Sequence, residues 1–458
     1  MTLLARNNKN MNSPVGRSLQ DQNSLQTIVQ KLIDEAVRQG ADQAEAAANH
    51  DIGISATARL GDVENLEYTN DRGVGVTVYV DSCKGNASTS DFSDNALVEA
   101  VTKAMTFAKH TAPDEHAGLA EADRMATDIP DLKLAHDWDL QSRDAIDLAI
   151  ECEDAARAYD KRISNSEGAT VSSSGGSRAY GNTHGFLASF PRSSHSISCM
   201  VVAGSDGDMQ RDYYYSASRD PSLLESPQAI GESAAARTVS RLGAQKMKTT
   251  QAPVVFSAEL ARGFIGHAIG AVAGGAQYRK STFLLDAAGE KLFPEFVQIH
   301  ERPHIAGAMA SAPYDTEGVA TVDRDLVVDG VLQGYILGSY SARRLGLQST
   351  GNAGGAHNLL VAGNVQDQQQ LLTQMGTGLL VHELIGQGVN SVTGDYSRGA
   401  VGFWVENGEI AYPVHEITIA GNLRDLYLRI SGIGKDQDIR GGIRCGSLLV
   451  DNMAIAGA

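Results

Sequence analysis

Two short strings in this sequence combine histidine and glutamate in patterns that zinc proteases use. Residues 300–304 read H-E-R-P-H, and residues 382–387 read H-E-L-I-G-Q. In an H-E-x-x-H motif, two histidines four residues apart share one face of a helix and bind Zn²⁺, and the glutamate acts as a general base on the metal-bound water. Each string would support peptide hydrolysis only if a helix carried it.

The residues in and around both strings argue against a helix. Pro303 lies inside the first string, where it removes a backbone donor and clashes with the preceding turn. We therefore expect His300 and His304 to face different ways in a surface loop. The second string is predicted to be a short strand, which would point His382 and Glu383 to opposite faces. Its segment is broken by glycines at positions 376, 378, 386 and 388.

The composition is typical of a soluble globular protein with two domains. The chain has 458 residues, of which 42% are hydrophobic, and this is long for a single domain. A formal net charge of −17 repels phosphate backbones and anionic lipid, so we expect no direct nucleic-acid partner and no membrane association. The four cysteines are scattered without a C-x-x-C pair, which favours a cytoplasmic location.

The patterns of apolar residues divide the chain into three parts. Residues 1–22 are polar and predict a disordered lead, in which Met11 is an alternative start. Residues 23–245 mix helical and alternating patterns, which predicts an α+β domain built on an antiparallel sheet. Residues 246–458 predict a β-rich domain with few helices. The boundary is placed in the polar segment 244–252.

Periodicity and turn residues predict the individual elements. Helices are predicted at residues 25–39, 94–109, 142–159, 222–242 and 367–375. An antiparallel meander is predicted over residues 52–89, with turns at 61–62 and 70–73. Asp-Gly and Asn-Gly pairs predict tight hairpins at residues 328–331 and 406–409.

One further predicted helix, which begins at Ser257, has an unusual face. Leu260, Phe264 and His267 share one side of it, and a second side has no side chains because glycines occupy positions 263, 266, 270 and 274. Each glycine weakens a helix by about 1 kcal/mol relative to alanine. The seam therefore predicts either very close packing or a site that needs bare backbone.

The densest polar group outside the histidine strings is the glycine-bracketed segment 394–399. We predict a loop in which Asp395, Tyr396 and Arg398, together with the nearby Trp404, bind a substrate or partner. The alternative is an Asp-Arg salt bridge that stiffens a turn.

Cys445 lies among glycines and close to the arginines at positions 440 and 444. Positive charge beside a thiol lowers its pKa and favours the reactive thiolate. The alternative is a small buried residue, which is the commoner role of a lone cysteine.

Several long strings in the chain are specific enough to identify relatives. The longest lies within residues 386–410 and reads G-Q-G-V-N-S-V-T-G-D-Y-S-R-G-A followed by G-F-W-V-E-N-G-E-I, and others lie at residues 278–286, 339–343 and 417–423. In these strings the chain closely resembles the TldD/PmbA family, in the branch called PmbA or TldE. The resemblance extends over residues 25–458.

The resemblance implies a cytosolic zinc metalloprotease system in which a TldD-like and a PmbA-like subunit assemble. It also implies links to peptide-antibiotic maturation, antitoxin degradation and modulation of DNA gyrase. In TldD-like members, an H-E-x-x-x-H helix and a later cysteine hold the metal. Matching that helix to this chain places Gly266 and Ala271 at the two histidines and His267 at the glutamate. Only Cys445 matches a ligand position, and one thiolate is too few for a zinc site.

We therefore expect that this chain binds no metal and that a TldD-like partner supplies both zinc and the general base. The expected substrate is a peptide or an unfolded protein, and the expected assembly is a hetero-oligomer. An alternative enzyme hypothesis is an independent metallopeptidase that uses His382 and Cys445 as ligands and Glu383 as the catalytic base. A third hypothesis is a non-enzymatic protein that binds gyrase or an antitoxin.

Overall fold

The computed structural model describes residues 14–19, 21–205 and 207–457. They form an α+β fold with an antiparallel N-terminal sheet and a β-rich C-terminal half, which confirms the predicted fold class. None of the described helices is long and apolar enough to cross a membrane. The helices are α1 (Pro14–Ser18), α2 (Gln22–Arg38), α3 (Asp94–His110), α4 (Ser142–Tyr159), α5 (Pro227–Ser240), α6 (Ala258–Ala271), α7 (Gly274–Tyr278), α8 (Ser339–Arg344), α9 (Gln368–Met375) and α10 (Leu423–Leu428).

The N-terminal sheet pairs all of its strands antiparallel. Its strands are β1 (Gln43–Arg59), β2 (Asp62–Val80), β3 (Cys83–Thr89), β4 (Ile163–Asn182), β5 (Leu187–Ala203) and β6 (Gln210–Ser218). Their order in space is β3-β2-β1-β4-β5-β6. The central pair is therefore formed by two strands, β1 and β4, that are far apart in sequence.

Long strands allow this sheet to carry two pairs of helices side by side on one face. β1 has 17 residues and β4 has 20, and because a strand rises about 3.3 Å per residue, each extends for roughly 55–65 Å. The buried even-numbered positions of β1 between residues 44 and 48 pack beneath α2 and α3. Those between residues 54 and 58 pack beneath α4 and α5. Most of these positions are alanines, so the helices lie close to the sheet.

Helical periodicity correctly predicted α2, α3 and α4, but the turn predicted at residues 70–73 is wrong. β2 runs straight through this segment, where Asn70 pairs with Ile52 and Gly73 pairs with Asn49. Residues 62–72 are exposed on both faces of the sheet. Polar residues that suggested a turn therefore belong to a solvated strand edge.

The predicted disordered lead of residues 1–22 lies partly outside the described residues, which begin at residue 14. The described part contradicts the prediction, because α1 packs on the N-terminal sheet. Val15 and Leu19 are buried, and the Ser18 hydroxyl donates to the Gly175 carbonyl at 2.8 Å. Val15 and Leu19, four residues apart, both lie against Gly175 of β4.

Two sheets make up the C-terminal half, beyond the predicted boundary at residues 245 and 246. The first contains β8 (Ile299–Glu301), β9 (Arg324–Val328), β10 (Val331–Leu332), β11 (Leu359–Val361) and β16 (Ile443–Arg444). The second contains β7 (Thr250–Phe256), β12 (Gly378–Ile385), β13 (Asp395–Glu406), β14 (Glu409–Asn422), β15 (Ile430–Ile433) and β17 (Leu448–Ala456). Both predicted hairpins are confirmed, because Asp329 and Asn407 adopt the positive φ angles, 50° and 54°, that such turns require.

Five strands of the second sheet close into a ring. β7 pairs with β12 and β17, β13 joins β12 to β14, and residues 418–420 of β14 pair with residues 454–456 of β17. The apolar side of α6, which includes Phe264 and Ile265, is buried in the core that these strands share with the first sheet. The opposite side of α6, which carries Gly263 and Gly270, therefore lies outside this core.

Two helical glycines with opposite surroundings provide a matched test of this packing. A Cβ on Gly231 of α5 would overlap the carbonyl oxygen of Cys152 in α4, whereas a Cβ on Gly263 of α6 would meet nothing within 4 Å. We expect Gly231→Ala to lower the free energy of unfolding by about 1–3 kcal/mol, because α4 and α5 must separate. Gly263→Ala should raise it by about 0.5–1 kcal/mol, because alanine favours the helix. Urea unfolding measures both, and effects of the same sign would contradict this packing.

Candidate functional site

Helix α6 carries the three positions that the family resemblance assigns to metal binding. Gly266 and Ala271 have no donor atoms in their side chains, and Ala271 is buried. The His267 ring packs edge-on against Tyr396, with 6.1 Å between ring centroids. Burial, assisted by the charge of Arg398, lowers the pKa of His267. A single imidazole does not meet the need of zinc for three protein ligands, so these residues do not fit the metal.

The glycine seam of α6 faces open space rather than a closely packed neighbour. Gly263 and Gly270 are exposed, and a Cβ on either would meet no atom within 4 Å. Gly266 has room as well, since its Cβ would lie at an ordinary 3.6 Å from Ile443. Only Gly274 is crowded, and it belongs to α7, where it abuts Ser341. The expectation of close packing is therefore wrong for α6. The other expectation, a site that needs accessible backbone, remains open.

Cys445 is fully buried in the C-terminal core, which agrees with the alternative of a small buried residue and not with a reactive thiolate. Burial raises the pKa of its thiol, and the nearby Asp436 carboxylate raises it further. The structure also does not bring Cys445 together with His382 and Glu383. Over the described ranges, no three His, Cys, Asp or Glu side chains form a group that could hold a metal ion.

The first histidine string forms a short strand and a turn, and only part of it is a surface loop. His300 is in β8 and lies 2.7 Å from Asp325, while His304 contacts the Thr321 hydroxyl at 2.9 Å. The two rings thus have separate partners, as the proline suggested. Glu301 differs from the loop prediction because it is buried.

Glu301 is held in the interior by three hydrogen-bond donors. Its carboxylate accepts hydrogen bonds from the Arg324 guanidinium, the Asn352 amide and the backbone amide of His357, the last two at 2.7 Å. Such a satisfied carboxylate ties neighbouring loops together. Because the Glu301 side chain is buried and bonded to these three groups, the structure gives it a structural role.

The second string forms strand β12, as predicted, but its two polar side chains do not point apart. A β-bulge between Val381 and Glu383 leaves His382 as the extra residue, and a bulge turns consecutive side chains toward the same side. His382 Nε2 lies 2.9 Å from the Asp212 carboxylate, and Glu383 lies 2.7 Å from Arg241. The expectation of opposite faces was wrong because sequence alone did not show the bulge.

These residues form an ionic clamp between the two halves, defined by Asp212, Arg241, His382 and Glu383. Arg241 closes the cluster through a contact of 3.2 Å to Asp212, and the side chains of both are less than a tenth exposed. Burial raises the pKa of Asp212, but the hydrogen bond and charge of His382 outweigh it and keep the pKa below its usual value. The string that resembles a metal motif therefore holds β12 against β6 and the end of α5.

The segment 394–399 is a strand rather than the predicted loop. It begins β13, so Tyr396 points inward and is buried, while Asp395 points outward. Asp395 accepts hydrogen bonds from Thr393 and Asn422, and the predicted alternative of an Asp-Arg salt bridge is not formed. Trp404 is partly buried against the C-terminal core. Among the four proposed binding residues, Tyr396 is thus excluded from a surface site.

A second ionic network joins the halves, and no sequence motif marks it. Arg237 of α5 and Arg440 both pair with Glu259 of α6, at 2.9 and 2.5 Å, and Arg440 also pairs with Asp438. The Arg440 guanidinium lies 4.2 Å from the centre of the Tyr215 ring. Arg440 and Glu259 are 181 positions apart in the sequence, so reading along the chain gave no signal for this contact.

The second network borders an open cleft of about 770 Å³ between the two halves, which we call the central cleft. Its walls come from residues 214–225 of the N-terminal half and, in the C-terminal half, from residues 257–259, 305–309 and 436–447. A cavity of this size at a junction between domains is typical of ligand-binding sites. None of the candidate site residues predicted from the sequence lines this cleft. Arg440 and Arg444, the two arginines close to Cys445, do line it.

Removal of the central cation should test the ionic clamp. In Arg241→Met, Asp212 and Glu383 keep their charges but lose their shared partner, and we expect the free energy of unfolding to fall by about 3 kcal/mol. The matched control is Arg424→Met, which breaks the exposed pair with Glu290 and should cost less than about 1 kcal/mol. Urea unfolding at neutral pH measures both. Similar losses in the two variants would contradict a buried clamp.

Comparison with known proteins agrees with this architecture over nearly the whole chain. Family models for PmbA/TldA metallopeptidase domain 1, central domain and C-terminal domain match residues 44–108, 135–242 and 249–457. Metalloprotease PmbA of Escherichia coli O157:H7 is 48% identical over 434 residues, which cover 93% of this chain and 96% of that protein.

Solved structures with the same fold include a Bacteroides thetaiotaomicron protein labelled as a modulator of DNA gyrase. That structure has a TM-score of 0.91 and 25% identity, and the match covers 96% of this chain and all of the other. TldE of Thermococcus kodakarensis has a TM-score of 0.81 and 21% identity, with coverage of 94% of this chain and all of the other. The chain therefore belongs to the PmbA/TldD metallopeptidase family, in its PmbA branch.

Proposed function

We propose that this chain is the PmbA-type subunit of a cytoplasmic two-component metallopeptidase, in which a TldD-like partner supplies the zinc and the general base. The observation that carries the proposal is that α6 is formed but lacks metal-binding side chains. The fold keeps this helix in place, but Gly266 and Ala271 offer no donors where the resemblance expects histidines. A preserved scaffold without ligands is consistent with a subunit that contributes structure and binding surface to a shared site.

The bare side of α6 is the surface that we assign to contact with the partner or with its peptide substrate. Gly263 and Gly270 leave backbone accessible there, and small residues allow another chain to approach closely. His267 lies on this side between the two glycines, and the charge of Arg398 is near enough to lower its pKa. Asp395 and Trp404 remain candidates for binding on the adjoining strand β13.

An independent peptidase is less well supported by the contacts of its proposed residues. His382 and Glu383 already serve Asp212 and Arg241 in the ionic clamp. Cys445 is buried, and the pKa of its thiol is raised, so a thiolate ligand is disfavoured. Mixing with a TldD-like subunit and metal analysis distinguish this hypothesis, and that of a non-enzymatic binding protein, from the proposal.

Mixing the chain with a TldD-like subunit tests the proposal directly. We expect co-elution in gel filtration and chelator-sensitive cleavage of an unfolded peptide by the mixture, but no cleavage by this chain alone. Glu383→Gln in this chain should leave cleavage by the mixture intact, because the neutral amide still reaches Arg241. The equivalent change in the glutamate of the partner's metal motif should abolish cleavage, because that residue acts on metal-bound water.

Metal analysis of the separately purified chain supplies the contrary outcome. Stoichiometric zinc that is lost in His300→Ala or His382→Ala would refute the proposal. Peptide cleavage by this chain alone that Glu383→Gln eliminates would establish the independent peptidase. Co-purification with gyrase or an antitoxin, but never with a TldD-like subunit, would favour a binding protein.

A further inference from the structure

The N-terminal sheet has a groove of about 910 Å³ on the face opposite its helices, which we call the sheet groove. Helices α2 to α5 cover the face to which the even-numbered positions of β1 point. Successive side chains of a strand point to opposite faces, so the odd-numbered positions of β1 point toward the groove. The lining includes Asn49, Gly73, Gly75, Ser88, Arg178 and Arg192.

The floor of the sheet groove contains two glycines that the fold does not require. Gly73 and Gly75 of β2 are the cross-strand partners of Asn49 and Ala47 in β1. A Cβ on Gly73 would meet only the Asn49 side chain, at 3.5 Å, and one on Gly75 only the Ala87 carbonyl oxygen, at 3.9 Å. Neither glycine has a positive φ angle. Glycine weakens a strand and often marks a place where a ligand approaches the backbone closely.

The charged side chains that line the sheet groove are all positive. Among the described residues, the lining contains Arg178 and Arg192 but no aspartate or glutamate. Asp51, outside the lining, lies 3.7 Å from Arg192 and accepts a hydrogen bond from the Asn49 amide. Arg178 is partly buried and forms neither an ion pair nor a hydrogen bond within the described part of the chain. It therefore offers an uncompensated positive charge in a protein whose net charge is −17.

An aromatic group borders Arg178 and gives it no counter-charge. Arg178 pairs across the sheet with Phe190, and the Phe190 ring packs edge-on against Tyr314 of the C-terminal half, with 5.4 Å between centroids. Burial raises the pKa of Tyr314 although the nearby charge of Arg178 opposes the increase, so the phenol stays neutral at neutral pH. The counter-charge for Arg178 must consequently come from outside the protein.

Hydroxyl groups line the other side of the sheet groove. Ser88 of β3 pairs with Gly75, Ser90 follows the end of β3, and both serines line the groove. Three steps between neighbouring strands separate β3 from β4, which places about 14 Å between the backbones of the serines and of Arg178. A ligand that contacts both sides needs a negative group at one end and hydrogen-bonding groups along its length.

The chemistry of the lining indicates which class of ligand fits. Its apolar residues are only Ala47, Ala48 and Val74 besides the glycines, so it offers hydrogen bonds rather than large hydrophobic contacts. The negative net charge disfavours a polyanion. We propose that the sheet groove binds a small polyhydroxylated compound with one oxyanion group, either a sugar phosphate or a sugar acid, and that Arg178 pairs with the oxyanion.

This assignment goes beyond the proposed function, because none of the residues assigned to the partner or its peptide lines the sheet groove. Arginine suits both kinds of oxyanion, since its planar guanidinium forms paired hydrogen bonds with carboxylate and with phosphate. A volume of about 910 Å³ is ample for one such ligand and its hydration.

Calorimetric titration of the full chain at constant ionic strength tests the assignment. The probes are glucose 6-phosphate, glucuronate, glucose and inorganic phosphate. We expect at least one of the two charged sugars to bind at least about tenfold more tightly than glucose, as a charge-assisted pair with arginine would give. Inorganic phosphate should bind more weakly than the preferred sugar, because it cannot reach the serines. Comparison of glucose 6-phosphate with glucuronate identifies the preferred oxyanion.

Arg178→Gln should remove the preference for the charged sugar and leave the weak binding of glucose unchanged. The matched control is Arg211→Gln, which alters an exposed arginine of β6 that pairs with Glu167 outside the groove, and it should bind as the wild type does. The assignment fails if glucose or inorganic phosphate binds as tightly as the charged sugars, if no probe binds, or if Arg178→Gln keeps the preference.

A second variant fills the floor of the sheet groove without changing its charge. Gly75→Val should not lower the melting temperature of the free chain, because the Cβ has room and valine favours a strand. The preferred sugar should raise the melting temperature of the wild type but not that of the variant. An equal rise in both proteins, or a clear loss of stability in the free variant, would overturn the assignment.

Discussion

Burial of a charged side chain is costly unless a counter-charge or a set of hydrogen bonds compensates it, and at the ionic clamp this constraint links the two halves of the molecule. In the ionic clamp, Asp212 and Arg241 come from the N-terminal half, and His382 and Glu383 come from the C-terminal half. Removing one member of the clamp while the halves stay packed leaves a charge in a poorly solvated place, which is far more unfavourable than losing an exposed pair. The relative placement of α6, β12 and the central cleft depends on this closure.

The same constraint explains why the histidines and glutamates that resemble catalytic residues have structural roles instead. A histidine next to a glutamate is a strong chemical signal, yet both strings place these residues in contacts that occupy their donors and acceptors. The helix that the resemblance assigns to the family's metal site is formed, but Gly266 and Ala271 give it no donor side chains at those positions. The chain thus retains the architecture of a peptidase while its polar side chains mostly hold that architecture together.

Local features were predictable from the sequence, and contacts between distant segments were not. Apolar spacing located α3 and α4 to within one residue and α2 to within three residues, and Asp-Gly and Asn-Gly pairs identified both hairpins. The course of β2 through residues 70–73 was missed because pairing with β1 overrides the local preference for a turn. The bulge at His382 and the partner Asp212, 170 positions away, depend on tertiary packing. Pro303 correctly separated two histidines but gave no sign that Glu301 is buried.

The closed ring of β7, β12, β13, β14 and β17 limits how this half of the protein can recognise an extended chain. Many proteins capture peptides by adding them as a further strand, which requires an edge with unpaired amides and carbonyls. Each strand of the ring has neighbours on both sides, so most of its backbone is already committed. Recognition at the ring must therefore rely on side chains and on helix ends, which read charge and shape rather than backbone alone.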